Sequence, residues 1–337
     1  MNRRRDRGVA LLLALLVLTL LAVLIGQMTL TSLHDRTLAE NPLLELKNSY
    51  GVRSGYQQAI LYLAADLERT PAVDTLHERW ASPLEFDLAG ARVRVVIRDT
   101  ESLLNLSALV NEKGETHAAL ADRLRRLVRI LGHPPDTAER IIDYIDADNR
   151  GSFEAGARNE PPWTLDELLR VEGLTREVLF GTRRDGESRK GLLEFLTVWP
   201  RPGGKDPPAL AGAVNANTAP PELLAALSEK MTPALAEAIV THRNSPAPGA
   251  TAGFQDFQTP EDVRRVQGMT DETFQEISPH LVVGSSVFEI RARSRAGRAE
   301  KAWTYVIRRD AEKKALRLLA TQRINDFLFT APPEEGP

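Results

Sequence analysis

"RRDRGVALLLALLVLTLLAVLIG", Arg4 to Gly26, sets arginines directly against an uncharged run, and its reading decides the architecture of everything behind it. From Gly8 to Leu33 there is no Asp, Glu, Lys, Arg or His. At about 1.5 Å per residue, such a run crosses a hydrocarbon core of roughly 30 Å. Arg3, Arg4, Arg5 and Arg7 precede it, which by the positive-inside tendency keeps the N-terminus cytoplasmic and exports the rest. A cleaved secretory signal has a shorter apolar stretch and a small-residue cleavage site, whereas this run continues into Thr29, Leu30 and Thr31. The expectation is a single-pass anchor over residues 9–33.

The chain has 337 residues, with 43 Lys and Arg against 46 Asp and Glu, so no global basic field points to nucleic acid. Without cysteine there are no disulfides, thiolate metal sites or cysteine nucleophile. His34, His77, His117, His133, His242 and His280 are scattered with no H-x-x-x-H spacing, which argues against zinc. No nucleophile elbow, P-loop or dinucleotide fingerprint occurs. Trp80, Trp163, Trp199 and Trp303 are dispersed and read as core or interface anchors.

Behind the anchor, Leu43, Leu44, Leu46, Tyr50, Ile60, Leu61, Leu63 and Leu67 recur at three- and four-residue spacings, continuing one long helix. Pro42 is expected to kink or interrupt it, and "RTPAVD" (69–74) to end it. "ARVRVVIR" (91–98) reads as a strand after a turn at Ala89 and Gly90. Further strand signals come only at "SVFEIRARS" (286–294), "KAWTYVIRR" (301–309) and "ALRLLATQRI" (315–324), the first two as a hairpin. Residues 103–282 read mainly as helices and loops, with "GTRRDGESRKG" (181–191) and "RPGGKDPP" (201–208) assigned as loops. The fold class is α+β: a long transmembrane helix packed on a small antiparallel sheet, interrupted by a large mostly helical insertion.

Within the insertion, "TLDELLRVEGLTREVLF" (164–180) and "TPEDVRRVQGMTDETFQ" (259–275) repeat one pattern 95 residues apart. Each has a Thr N-cap, an acidic first turn, Val-x-Gly, an apolar residue, a second Thr and a second helix. These are helix-hairpin-helix (SAM-like) units. Asp99 and Glu101, a carboxylate pair at a strand-to-helix junction, read as caps rather than as catalytic groups.

Basic residues, Gly8 and an immediate apolar helix resemble the class III signal of type IV pilins and type II secretion pseudopilins. "DTESLLNLSAL" (99–109), "IIDYIDADN" (141–149), "TLDELLRVEGLT" (164–175) and "NANTAPPELLAAL" (215–227) follow in order. Together they resemble the minor pseudopilin K family of type II secretion. The resemblance implies removal of residues 1–8 by prepilin peptidase, which cuts after Gly8 and methylates Val9. It implies an inner-membrane subunit with a periplasmic bulk at the pseudopilus tip, partnered by minor pseudopilins I, J and H, with no enzymatic activity and no required cofactor. Most pilins carry Glu at the fifth mature position, where this chain has Leu13. The implied domains are the leader (1–8), the membrane helix (9–33), the periplasmic helix and first strands (34–102), the insertion (103–282) and the last strands with the tail (283–337). A type IV pilus minor pilin shares the N-terminal signal and is the alternative.

Asp143, Asp146 and Asp148, followed by Glu154 and Glu160, place carboxylates at a helix end and the next loop, a donor set suited to calcium. The EF-hand pattern begins at Asp146 and Asp148 but fails at Arg150. The resemblance implies calcium here, as a structural ion, against a solvated acidic helix end. The rival from another class is a membrane-anchored helix-hairpin-helix DNA receptor. Between Ala209 and Val283, however, Lys230, Arg243, Arg264 and Arg265 face nine acidic residues, and the first turn "SEKMT" (228–232) lacks glycine. Phosphate binding needs the opposite charge, so nucleic acid is not expected as a partner.

Overall fold

The computed structural model describes residues 3–111, 113–148, 150–184, 187–201, 212–247 and 253–323, with backbone alone for 3–11, 32–39, 183, 184 and 187. Helix α1 runs unbroken over Arg3–Arg69 and contains Pro42. The interruption expected there does not occur. A proline inside a helix costs about 3 kcal/mol, and the turns around it are tied down by tertiary bonds. Arg298 donates to Asn41 Oδ1 at 2.7 Å, Lys301 to Glu45 at 2.6 Å, and Asn48 Nδ2 to the Ala299 carbonyl at 2.9 Å.

Only some of the apolar positions named from the sequence belong to the buried face of α1. Leu43, Leu46, Tyr50 and Leu61 are exposed, while Leu63 and Leu67 are buried. The face against the sheet is instead Asn48, Gly51, Val52, Gly55, Ala59 and Leu63. A Cβ at Gly51 would stand 2.2 Å from Ser294 Oγ, and one at Gly55 2.7 Å from Val95 Cγ2. Glycine is unfavourable inside a helix; here it lets the helix lie close against the strands.

After α1, β1 (Leu84–Leu88) and β2 (Ala91–Asp99) form a hairpin closed by Ala89 and Gly90 at φ 52° and 81°. Two central residues at positive φ make the tight turn that matches strand twist. Strand β1 was not expected, since "LEFDL" is short and half-acidic. The chain then leaves the sheet. The insertion holds β3 (Leu104–Asn105), α2 (Ala118–Ile130), α3 (Asp136–Ile145), α4 (Arg176–Phe180), β4 (Gly181–Arg184), β5 (Glu187–Lys190), β6 (Leu196–Thr197), β7 (Val214–Asn215), α5 (Pro221–Ala225), α6 (Pro233–Arg243), α7 (Asp271–Ile277) and β8 (Leu281–Val282). It has its own core, including Leu120, Leu124, Leu127, Ile141, Leu168, Leu223 and Ile239. Two short parallel pairs, β3 with β6 and β7 with β8, tie its segments together.

Residues 181–191, assigned as a loop from their Gly and charge content, contain the antiparallel β4–β5 hairpin. Gly181, at φ 81°, permits the close approach, because a Cβ there would meet the Arg189 carbonyl oxygen at 2.4 Å. Most of 201–208 lies outside the described residues. In both repeats the first helix is a 3-10 turn, Leu165–Arg170 and Pro260–Arg265, each begun by a capping box, Thr164 with Glu167 and Thr259 with Asp262. Thr175 and Thr270 cap the second helices, α4 and α7.

The chain returns to the sheet in β9 (Val287–Ala296), β10 (Ala299–Asp310) and β11 (Ala315–Arg323). The five-stranded sheet has the order β1-β2-β9-β10-β11, antiparallel throughout. Its inner face joins α1 in a second core of Val52, Ala59, Leu63, Trp80, Val93, Val95, Ile97, Phe288 and Ile290. The α+β class and the interrupted sheet are thus as the sequence implies.

Gly55→Leu is expected to destabilise the chain by about 1–3 kcal/mol or more through overpacking, read as a lower denaturant midpoint. Leu61→Ala, on the exposed side of the same helix, should shift stability by no more than about 0.5 kcal/mol.

Candidate functional site

The acidic loop follows α3, whose C-cap is Asp146. Carboxylate oxygens of Asp146, Asp148 and Glu154 all lie within 4.8 Å of one another. Asp146 Oδ2 accepts from Thr116 Oγ1 at 2.9 Å, Glu154 Oε1 from the Gly151 amide at 2.8 Å, and Asp148 Oδ1 from the Arg150 amide at 2.9 Å. The opposite oxygens, Asp146 Oδ1 and Glu154 Oε2, are buried without a hydrogen-bond partner, as is Asn159 Oδ1 in the same loop. Burial raises the Asp146 carboxyl above its ordinary range, and the charges of Asp148, Glu154 and Asp143 add to this while the Thr116 bond opposes it.

The other two sequence-named ligands stand differently. Asp143 is buried, and its Oδ2 accepts from the Phe153 amide at 2.8 Å. The loop presses on it closely: a Cβ on Gly151 would fall 2.0 Å from that same oxygen. Glu160 is largely exposed and sits 4.0 Å from Arg158, which also pairs with Glu167. The structure therefore gathers Asp146, Asp148 and Glu154, with Asp143 behind the loop and Glu160 turned outward. Buried oxygens without donors, on clustered carboxylates, fit a hard oxygen-seeking cation.

At the other end, Gly8 and Val9 lie on the first turns of α1, where the backbone alone is described. Leu13 is exposed at the start of a 20-residue apolar span, Leu12–Thr31, that is long enough to cross a membrane.

A second constellation lies where the insertion leaves and rejoins the sheet. Arg309, on β10, is buried and pairs with Asp66 at 2.7 Å and with Asp74. The Asp74 Oδ2 also accepts from the Ser285 amide at 2.6 Å. Asn215 on β7 donates to the Asp74 carbonyl, to Asp99 Oδ2 at 3.2 Å and to Ser285 Oγ at 2.8 Å, and Thr218 donates to Asp99 as well. Asp99 Oδ1 caps the following 3-10 turn by accepting from the Glu101 amide at 2.8 Å. Glu101 Oε1 accepts from the Ser286 amide and hydroxyl. The capping role read from the sequence is present, and these carboxylates also clasp β2, β7 and the start of β9 together. Arg309, Asp74 and Asn215 were missed because the partners that join them across the clasp lie 70 to 243 positions away in sequence.

Between α5 and α7 the hairpin region commits three cations to carboxylates, whereas Arg170, in the 3-10 turn of the first repeat, is exposed with no ion pair among the described residues. Lys230 pairs with Glu272 and Glu276 at 2.5 Å, Arg264 with Asp271 at 2.7 Å, and Arg265 with Asp262 at 2.9 Å. Arg243 is buried, donating to the Ala216 carbonyl.

A membrane-length helix lies on a small antiparallel sheet, with a helical domain spliced between two neighbouring strands, which is a pilin-like architecture. A family described as type II secretion system (T2SS), protein K matches residues 214–284, the stretch from β7 through β8. The type II secretion system protein K of Pectobacterium carotovorum subsp. carotovorum is 25% identical over 72% of this chain and 76% of its own length. That of Klebsiella pneumoniae is 29% identical over 46% of this chain and 50% of its own. A protein of Escherichia coli (strain K12), provisionally described in the same terms, is 27% identical over 51% of this chain and 57% of its own. The alignments thus span little more than half of two of these relatives. A chain of the crystal structure of the GspK-GspI-GspJ complex from the type 2 secretion system of enterotoxigenic Escherichia coli superposes with a TM-score of 0.60 at 19% identity, covering 86% of this chain and 99% of that one. The chain is a relative of type II secretion system protein K.

The clasp makes stability depend on pH. Burial pushes Asp74 up to about 7 against the pull of Arg309, and burial with the Glu101 charge raises Asp99 well above the ordinary range. In the unfolded chain both titrate near 4, so above that pH the folded form binds more protons. The contribution of Asp74 is then fully present below about pH 4 and is lost as pH rises through about 7, and Asp99 contributes in the same direction. Melting temperatures measured from pH 4 to 8 should show this decline, and Asp74→Asn should flatten it relative to wild type.

Proposed function

We propose that this chain is the capping minor subunit of a type II secretion pseudopilus, working by assembly rather than by catalysis. It is processed by prepilin peptidase between Gly8 and Val9 and held in the inner membrane by residues 9–33, with its bulk in the periplasm. The observation that carries this reading is the insertion between β2 and β9. It builds a second, separate core on top of a pilin-like helix and sheet. A domain of that breadth at the head of the helix obstructs the addition of a further subunit above it.

Leu13 agrees with that position. A carboxylate at this depth needs a neighbour's N-terminal ammonium, because an unpaired charge in hydrocarbon is costly. The first subunit of a stack has no neighbour above to supply one, and leucine removes the need. The partners are the minor pseudopilins I and J, by extension from the complex in which the structural neighbour occurs, with H as the subunit below. The acidic loop holds calcium through Asp146, Asp148 and Glu154, with Asp143 positioning the loop from behind. A bound ion would be coordinated by the orphaned oxygens and stiffen the segment between α3 and the first hairpin unit. The ion-paired Lys230, Arg264 and Arg265 and the acidic balance of residues 209–283 favour packing over nucleic-acid binding there.

Mass spectrometry of the membrane-extracted chain is expected to give an N-terminus at Val9, N-methylated, and Gly8→Ala should leave residues 1–8 attached. An unprocessed wild-type chain, or long filaments of this chain alone, would overturn the reading. For the ion, calcium at 100 times its dissociation constant should stabilise the protein by about 2.7 kcal/mol. Asp146→Ala should abolish that increment, and identical melting in calcium and in EDTA would reduce the loop to a solvated acidic face.

A further inference from the structure

On the face of the sheet turned away from α1, arginine follows arginine. Strand β2 alternates buried Ala91, Val93, Val95 and Ile97 with outward Arg92, Arg94 and Arg98, and β9 alternates Ile290, Ala292 and Ser294 with Arg291, Arg293 and Arg295. The two strands are neighbours, and their register sets Arg92 opposite Arg295 and Arg94 opposite Arg293. Like charges directly opposite one another in a sheet are unfavourable. The flanking strands relieve part of this: Glu85 on β1 stands 3.5 Å from Arg94, and Glu300 on β10 stands 3.0 Å from Arg293. Arg92 and Arg295, the exposed pair nearest the β9–β10 turn, make no ion pair among the described residues, although the register sets Asp87 of β1 beside Arg92 and Glu300 of β10 beside Arg295.

The two halves of this ladder have different surroundings. Toward Arg98, Glu289 and Arg291 the insertion closes over the sheet: Arg98 donates to the Glu194 carbonyl, and Thr164, Asp166 and Trp199 line a cavity with Glu289 and Arg291. Toward Arg92, Arg94, Arg293 and Arg295 the face is open to solvent on a flat shelf beside that wall.

We infer that this open arginine shelf is a docking surface for an acidic polypeptide segment, one presenting carboxylates at strand spacing. Charge complementarity selects the occupant. Guanidinium forks bind carboxylates in a bidentate way, and outward side chains at every second position match those of an extended acidic chain. The interleaved Glu85, Asp87 and Glu300 break up the positive field, which suits spaced carboxylates better than a continuous phosphate backbone. Lipid headgroups are out of reach. Asn48 and Gly51, which meet Ser294, stand 17 and 20 residues beyond Thr31, the end of the apolar span. That is about 25–30 Å along the helix, several times the screening length of about 8 Å at physiological salt.

The test uses the full chain in neutral detergent and a fluorescent poly-L-glutamate probe, with anisotropy as the readout. Wild type should bind saturably and more weakly as salt rises from about 50 to 200 mM. Arg92→Glu with Arg295→Glu should weaken binding about tenfold or more, whereas Arg264→Glu with Arg265→Glu, an exposed basic pair on the insertion, should leave it intact. Arg92→Gln with Arg295→Gln should also lose binding with no fall in melting temperature, since it removes opposed like charges. Unchanged binding in the ladder variants would overturn the inference. So would tighter binding of duplex DNA than of polyglutamate, or a lowered melting temperature in the glutamine pair, which would make these arginines props of the sheet.

Discussion

The contact between Arg309 and the carboxylates of Asp66 and Asp74 holds the two halves of the molecule in one frame. Asp66 is in the last turn of α1, Asp74 in the segment after it, and Arg309 at the end of β10, so this buried triad fixes helix to sheet at the level where the insertion departs. Asp74 receives the Ser285 amide and Asp99 receives Asn215 and Thr218, which fasten the outgoing and returning strands to β7. A single charge among several carboxylates does not neutralise them all. Burial therefore drives Asp74 and Asp99 toward the protonated form, where a carboxyl can itself donate. Such a joint is costly to break on one side only, because a lone buried charge remains.

The close approach of α1 to the sheet is the second condition of the fold, and it explains why the sequence was legible in one respect and opaque in another. The existence of a long helix followed from the uncharged anchor and the recurring Leu positions behind it. The direction in which it faces did not follow, because the contact is made by what is missing from Gly51 and Gly55. Periodicity of apolar residues finds a face that buries side chains, whereas here the tightest packing uses backbone against Val93, Val95 and Ser294. Leu43, Leu46, Tyr50 and Leu61 are exposed instead.

In the insertion, local signals were readable and distant ones were not. The Thr-capped repeats and their glycines were visible in the sequence, since capping is a matter of three or four residues. That their first helices tighten to 3-10 turns depends on how Leu165, Leu168 and Val263 enter the common core, which no local pattern records. The acidic loop shows the same division. Asp143, Asp146 and Asp148 announced themselves by spacing, but Glu154 joins Asp146 and Asp148 whereas Glu160 does not, because the loop turns back at Gly156 and Asn159, both at positive φ, before Arg158 anchors to Glu167.

A repeated motif keeps its shape for packing reasons even when its chemistry has changed. The helix-hairpin-helix outline here preserves what caps and core require: Thr at each start, glycine at each turn of the two long repeats, and apolar residues facing inward. What a phosphate would need is spent otherwise, with Lys230 held between Glu272 and Glu276 and Arg264 lying over Phe274 while paired to Asp271. Positive charge also stands on the sheet at Arg92 and Arg295, where strand alternation rather than a hairpin turn presents it. Outline alone would have directed attention to the hairpins; the register of β2 against β9, which pairs like with like, is what distinguishes a surface left wanting an anion from one that has already found its own.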